Sequence, residues 1–323
     1  MNKFIVMNGS NYAEIEESKI TFRGGYTGQK IIGSDKEVVN SSNLIFNEKF
    51  ISGEISCNVI FPNDIPESFF LDITFSCNIQ DGSFYSCAIK TFGHQIRKFF
   101  KKGEKYEFET ISSSYSYNPK YNKNILLKIL RKGSNVEFYI DNIAMCSANI
   151  NFETLSSNCG LTLGSNSDII LEEYKVINNK IRAFCIMKFG DPYDRIYADV
   201  IKPIFKAKDI NITRSDEIFS NNYIIDDIKN QINTSEIIIA EISESNPNVF
   251  YELGYAHALK KETIVLCDND ISSVLPFDVR GFRTVFYKNS IPGKTELEKN
   301  IQNHLNHIFE KYGIDTTIFT QTN

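Results

Sequence analysis

Over roughly the first 178 residues, apolar and polar positions tend to alternate. The runs FISGEISCNVIF (50–61), SFFLDITFSC (68–77), SFYSCAIKTF (83–92) and KYEFETI (105–111) read as strands, as do ILLKILRKG (125–133), NVEFYIDNIAMCSANI (135–150) and IILEEYKVI (169–177). A period of two puts successive side chains on opposite faces of a sheet. Gly, Asn, Ser and Asp punctuate these runs at short intervals, and no convincing helical period interrupts them. RKGSN (131–135) and YIDN (139–142) read as hairpin turns, with Gly133 supplying positive φ. The expectation for residues 1–178 is an antiparallel β-sandwich.

From Arg182 the period changes. AFCIMKFG (183–190) is a short buried strand, and DRIYADVIKPIFKAKD (194–209) carries apolar residues at helical spacing. Strand-and-loop character returns at NITRSDEI (211–218), followed by an amphipathic stretch NYIIDDIKNQINTS (222–235) and an apolar strand core SEIIIAEIS (235–243). NVFYELGYAHALKK (248–261) reads as helix, ETIVLCD (262–268) and FRTVFYK (282–288) as strands, and KTELEKNIQNHLNHIFEKY (294–312) as a closing helix. Strands alternating with helices predict a doubly wound α/β unit with a parallel sheet over 182–312, followed by a tail at 313–323. Ligands of such sheets bind at the carboxyl ends of the strands, where strand order reverses. The segments to watch are 188–195, 214–218, 241–248 and 268–280.

Length and composition sharpen this picture. At 323 residues the chain suits two domains of roughly 100–200 residues each. A content of 42% hydrophobic and 23% charged residues is that of a folded protein, and the net charge of −5 disfavours a broad nucleic-acid or anionic-membrane surface. The start has the character of neither a secretory signal nor a membrane span. Seven widely spaced cysteines, several inside apolar runs, read as reduced core thiols of a cytoplasmic protein. No Cys/His spacing suggests a metal, and no cofactor is expected.

The candidate chemistry lies in NPNVFYELGYAHAL (246–259), where Glu252 stands among Phe250, Tyr251 and Tyr255. With Asn248 as helix cap, Glu252 would lie one turn inside the helix, its ionised form favoured by the positive helix end. Tyr251 and Tyr255 would either pack or stack on a base, and His257 would sit on the helix surface. FGDPYD (189–194) would present backbone amides to a substrate from Phe189 and Gly190, or be a turn with Pro192 at the first helical position. Lys188, Arg195, Arg214, Arg280 and Arg283 are candidates to hold a phosphate, Arg280 being the best placed unless it pairs with Asp278 or Asp216. Tyr115, Tyr117 and Tyr121 form either a sugar platform or an exposed loop.

Two resemblances follow. GEISCNVIF, LLKILRKGSNVEFYIDNIAM and CGLTLGSNSDIILEEYKV resemble the strands of concanavalin-like, laminin-G-type jelly rolls, which implies a sugar-, peptide- or protein-binding sensor or assembly module. AFCIMKFGDPYDRIYADVIKP, RSDEI, IIDDIKNQINTSEIIIAEISESNPNVFYELGYAHALKKETIVL and PFDVRGFR resemble the nucleoside 2-deoxyribosyltransferase-like proteins, which are close in fold to TIR domains. That second resemblance implies that Glu252 is a carboxylate nucleophile at the anomeric carbon, with Asp227 or Glu241 as the second acid and Asp227 or Asp216 near the substrate. The transferases carry an aspartate six residues before the nucleophile; this chain has Asn246, which keeps a hydrogen bond but no charge. The implied activity is therefore N-glycosidic cleavage of NAD or another nucleotide, in bacterial antiviral defence or stress signalling, with Asn246, Asn248, Tyr251 and Arg280 among the substrate-binding residues. A non-catalytic nucleotide sensor, a true deoxyribosyltransferase and a lectin-like protein with a scaffold domain stay open as alternatives. Self-association is expected by the same resemblance, as is a protein or ligand trigger at the N-terminal sandwich.

Overall fold

A computed structural model describes residues 4–16, 18–31, 34–77, 81–114, 121–150, 157–218, 223–271, 279, 281, 283–312 and 314. By contacts the chain divides into two compact units, one of residues 1–131, 136–148 and 154–178, the other of 132–135, 149–153 and 179–323.

The first unit is all β. Its strands are β1 (Phe4–Asn8), β2 (Ala13–Ile15), β3 (Lys19–Phe22), β4 (Tyr26–Lys30), β5 (Glu37–Phe50), β6 (Gly53–Ile60), β7 (Phe69–Phe75) and β8 (Phe84–Lys90). They continue with β9 (Gly93–Lys102), β10 (Lys105–Ser114), β11 (Asn124–Lys132), β12 (Asn135–Ile140), β13 (Ile143–Asn149), β14 (Ser157–Ser165) and β15 (Ile169–Asn178). One sheet runs β1-β5-β14-β7-β8-β9-β10, with β4 on β5; the other runs β13-β12-β11-β6-β15-β3-β2. Phe46 of the first sheet meets Tyr174 of the second with ring centroids 4.7 Å apart, so the sheets share one core. The alternation read from the sequence is clear in β11 and β12, where every second residue is buried. Gly133 (φ 58°) turns the β11–β12 hairpin, and Asp141 (φ 50°) and Asn142 (φ 64°) turn β12 into β13. Those left-handed positions suit Gly, Asn and Asp because they cost a larger side chain strain. β9 was not legible: GHQIRKFFKK lacks clean alternation, and its pairing with β8 and β10 is what makes it a strand.

The second unit holds β16 (Arg182–Ile186), α1 (Tyr193–Ile196), a π-helical turn (Tyr197–Ile201), α2 (Lys202–Ala207), β17 (Asn211–Arg214), α3 (Ile224–Thr234) and β18 (Ile237–Glu241). α4 (Pro247–Ala258), β19 (Glu262–Asp268), β20 (Thr284–Tyr287) and α5 (Ile291–Tyr312) complete it. All strand pairs are parallel, in the order β17-β16-β18-β19-β20. Strand order therefore reverses between β16 and β18. The helix expected at 194–209 is interrupted by the π turn, which the apolar spacing did not reveal.

Alternation splits this sheet into two faces. Phe184, Ile186, Ile238, Ala240, Ile242, Val265 and Cys267 pack against Ile228 and Ile232 of α3 and Val249, Leu253 and Ala256 of α4. The intervening residues, Glu241 among them, belong to the opposite face. None of the seven cysteines is in a disulfide, and five of them are buried.

Candidate functional site

The turn before α4 differs from expectation. Asn246, not Asn248, is the cap: its side chain accepts a hydrogen bond from the Asn248 amide at 2.9 Å, and Pro247 occupies the first helical position. Proline has no N–H to satisfy and its φ is already helical, so the residue before it takes the capping role. Glu252 is then the sixth helical residue, beyond the turn where the helix dipole acts strongly. Burial decides its acidity instead, lifting the pKa to about 7 rather than favouring the anion. Glu252 lies on the shoulder of the stripe formed by Val249, Leu253 and Ala256, all buried, and is itself half-buried. It makes no side-chain hydrogen bond or ion pair with any described residue.

Glu241 is placed differently. It is 3% exposed, accepts from the Ser243 amide (3.2 Å), the Ser243 hydroxyl and the Tyr287 hydroxyl (3.1 Å), and lies on the sheet face away from α4. The structure thus does not join Glu241 with Glu252, because a one-residue step along a strand reverses the side chain's direction. Burial, aided by nearby Asp268, raises the Glu241 pKa from 4.5 to about 7. A carboxyl raised in this way contributes stability that is full below the unfolded value and is lost as pH rises through 4.5 to 7. Glu241→Gln keeps an acceptor for Tyr287 and the Ser243 amide while removing the titration. The expected result is a gain of about 3 kcal/mol at pH 8 and about 1 kcal/mol at pH 5. Urea unfolding at the two pH values reads it; equal effects at both would refute the assignment.

Asp227 is half-buried in the first turn of α3. Asp216 is gripped by Arg214, at 2.8 Å to Nε and 2.5 Å to an Nη, which holds its carboxyl below the usual range. Arg214 is 6% exposed, also binds Asp194 at 2.8 Å, and has its guanidinium over the rings of Phe189 (5.2 Å) and Tyr197 (4.7 Å). This hub was missed, since Asp194, Arg214 and Phe189 are separated in sequence and meet only at the strand ends. It makes Arg214 an organiser of the loops after β16 and β17 rather than an idle phosphate ligand. Lys188 is bound to Glu244 (2.5 Å), and Arg195 to Asp191 (3.1 Å). Gly190 has φ 95° and its carbonyl accepts from the Asp194 amide at 3.1 Å, so this bend needs glycine. Pro192 is the residue before α1, not its first residue. Tyr251 is 52% exposed on α4 and Asn248 is exposed. His257, expected on the surface, is half-buried, and burial lowers its pKa. Arg280 and Asp278 lie outside the described residues, as do Tyr115, Tyr117 and nearly all of the 313–323 tail.

The first unit has a concavity that the sequence did not announce. A cleft of about 1000 Å³ is lined by Phe70, Asp72, Lys90, Phe92, Arg97 and Phe99 with their neighbours. Asp72 and Arg97 are each 4% exposed and form an ion pair, and Ser86 donates to Asp72 at 2.8 Å. The Arg97 guanidinium also lies over Phe99 (5.1 Å) and Phe108 (4.9 Å). Tyr121, weighed as part of a tyrosine platform, instead donates its hydroxyl to the Lys90 carbonyl at 3.0 Å and packs edge-on against Phe69.

Among the described residues no group of acidic, Cys and His side chains is arranged to hold a metal, and no helix is long and apolar enough to cross a membrane. No family model matches the chain, and no curated protein matches it. Solved structures similar to the N-terminal half include a carbohydrate-binding module, CBM66, from Bacillus subtilis, with 11% identity over 54% of this chain and 94% of that one, TM-score 0.39. A κ-carrageenase from Pseudoalteromonas carrageenovora, complexed with an oligotetrasaccharide, has 8% identity over 50% and 80%, TM-score 0.36. A laminarinase from Flavobacterium sp. UMI-01 has 10% identity over 53% and 90%, TM-score 0.37. These likenesses concern half of the chain and carry no argument about its activity. The protein is a two-unit chain, an antiparallel β-sandwich followed by a doubly wound parallel α/β unit.

Proposed function

We propose that the second unit is an N-glycosidase that cleaves the base–sugar bond of NAD or another nucleotide, with Glu252 as the group that meets the sugar. The observation that carries this reading is a half-buried carboxylate without a partner among the described residues, on the helix that follows β18, beside the reversal of strand order. Breaking an N-glycosidic bond builds positive charge on the sugar ring, and a carboxylate beneath it stabilises that charge or bonds to the anomeric carbon. A covalent ester formed in this way is then hydrolysed by water. Glu241 faces the other side of the sheet from α4, so it does not serve a base departing from a sugar at Glu252. Asp227 is the acid left in this reading. A pyridinium base leaves as a neutral molecule and needs no proton, which favours NAD over purine and pyrimidine nucleotides. The test is incubation of the full chain, at several concentrations, with NAD and a panel of ribo- and deoxynucleotides, following released base by chromatography. Nicotinamide release is expected, with a specific activity that rises with protein concentration if self-association is required. Tight binding with no release at any concentration would favour the nucleotide-sensor reading.

For the first unit, the cleft supports a ligand-reading role. Aromatic faces pack against the C–H faces of sugars, and planar charged groups bond paired hydroxyls. Asp72 is tied to Arg97, and Glu37 and Glu67 in the lining are exposed, so among the described residues this cleft lacks the free buried carboxyl that glycan cleavage requires. We therefore read it as binding a glycan without cleaving it. Phe92 lines the cleft and is 63% exposed, so Phe92→Ala removes a contact face without opening the core. On a glycan array the wild-type chain is expected to retain oligosaccharides that Phe92→Ala binds at least tenfold more weakly. An array without hits would end this reading.

A further inference from the structure

The other end of the parallel sheet has a concavity of its own. Arg182 opens β16 and Asn211 opens β17, and the two residues are paired at the amino ends of these strands. Beside them lies a cavity of about 640 Å³, lined also by Lys180, Lys202, Lys206 and Asp209. It is separate from Glu252, whose helix starts from the carboxyl end of β18. A volume in this range suits a small molecule.

The charges in this cavity are unequal. Lys202 spends its ammonium on Glu217, which leaves Lys180, Arg182 and Lys206 against one carboxylate, Asp209. Lys206 makes no ion pair with a described residue, and Arg182 commits one amino group to the Thr234 carbonyl. Asp209, held at φ 55° just after α2, takes Lys180 on Oδ1 at 2.6 Å. Its Oδ2 is buried and has no hydrogen-bond partner among the described residues. A buried acceptor without a donor costs about 1–3 kcal/mol, so the site is incomplete as it stands. It lacks an anion for the cations and a donor for Asp209.

We propose that this cavity binds a small phosphate ester with free hydroxyls, of the sugar-phosphate or nucleotide class. Lys180, Arg182 and Lys206 hold the phosphate oxygens, and the Asp209 carboxylate, whose side chain is 34% exposed, accepts from a hydroxyl. Three cations around one anion suit a phosphate's several oxygens, while the carboxylate selects an ester over inorganic phosphate.

The test is titration calorimetry of the full chain with ribose 5-phosphate, inorganic phosphate and ribose at low salt. Ribose 5-phosphate is expected to bind at least tenfold more tightly than phosphate, and ribose not measurably. Lys180→Glu with Lys206→Glu should weaken ribose 5-phosphate at least tenfold, and Asp209→Ala should bring it down to the level of phosphate. Lys180 and Lys206 are exposed, so circular dichroism should show an unchanged fold. Glu252→Gln should leave this binding intact, which keeps the result independent of the proposed glycosidase activity. No binding of ribose 5-phosphate, or binding that the two lysine changes leave intact, would overturn the site. Equal affinity for phosphate and its ester would overturn the role of Asp209.

Discussion

Glu252→Gln should lower nicotinamide release by about a thousandfold, equivalent to about 4 kcal/mol of transition-state stabilisation. The amide has nearly the shape of the carboxylate but neither the charge to stabilise a sugar cation nor the nucleophilicity to bond to it. Since the pKa of Glu252 stands at about 7, the ionised fraction of the free enzyme should grow from pH 6 to pH 8. The wild-type kcat/KM should rise over that interval with a midpoint near 7. A rate falling over the same interval would mean that Glu252 acts as an acid instead. Stability provides the control. Burial raises this carboxyl too, so the glutamine variant should be no less stable than wild type at pH 6 and somewhat more stable at pH 8. Partial solvent exposure makes that gain smaller than the one expected at Glu241. A loss of activity with no loss of stability separates a reacting carboxylate from one needed only for packing.

Arg97→Ala should destabilise the N-terminal unit by about 3–5 kcal/mol. Arg97 and Asp72 are almost completely removed from water, and the substitution leaves the buried Asp72 carboxyl with the Ser86 hydroxyl as its remaining hydrogen-bond partner among the described residues. It also removes the guanidinium from over the rings of Phe99 and Phe108. The pair itself is not expected to be worth so much, because burying two charges costs nearly what their attraction returns. Arg97→Met combined with Asp72→Leu should therefore recover more than half of the loss. Chemical denaturation of the wild type, Arg97→Ala and the double variant decides it. An Arg97→Ala effect below about 1 kcal/mol would show that water reaches the pair.

Local residues made much of this legible. The alternation in ILLKILRKG and NVEFYI, with Gly133, Asp141 and Asn142 between strands, is enough to specify hairpins, because a period of two and a left-handed turn are local properties. The strand–helix alternation from Arg182 onwards likewise specifies a parallel sheet. Asn246-Pro247 contained the true cap, since proline's missing N–H makes it a first helical residue, which puts Asn248 inside the helix.

What the sequence determined by itself is the fold class of the two units and most of the element types, which follow from periodicity; Glu252 stands out there only as a charge inside an apolar run. Tertiary structure alone decided which carboxylates meet which partners. Glu241 stands next to Ile242 in the chain, yet it faces the opposite side of the sheet from α4 and is held by Tyr287. Asp194, Asp216 and Phe189 gather on Arg214, and Asp72 finds Arg97 across β8. Strand order and register set these meetings, and they arise from the whole core packing at once rather than from any run of neighbouring residues.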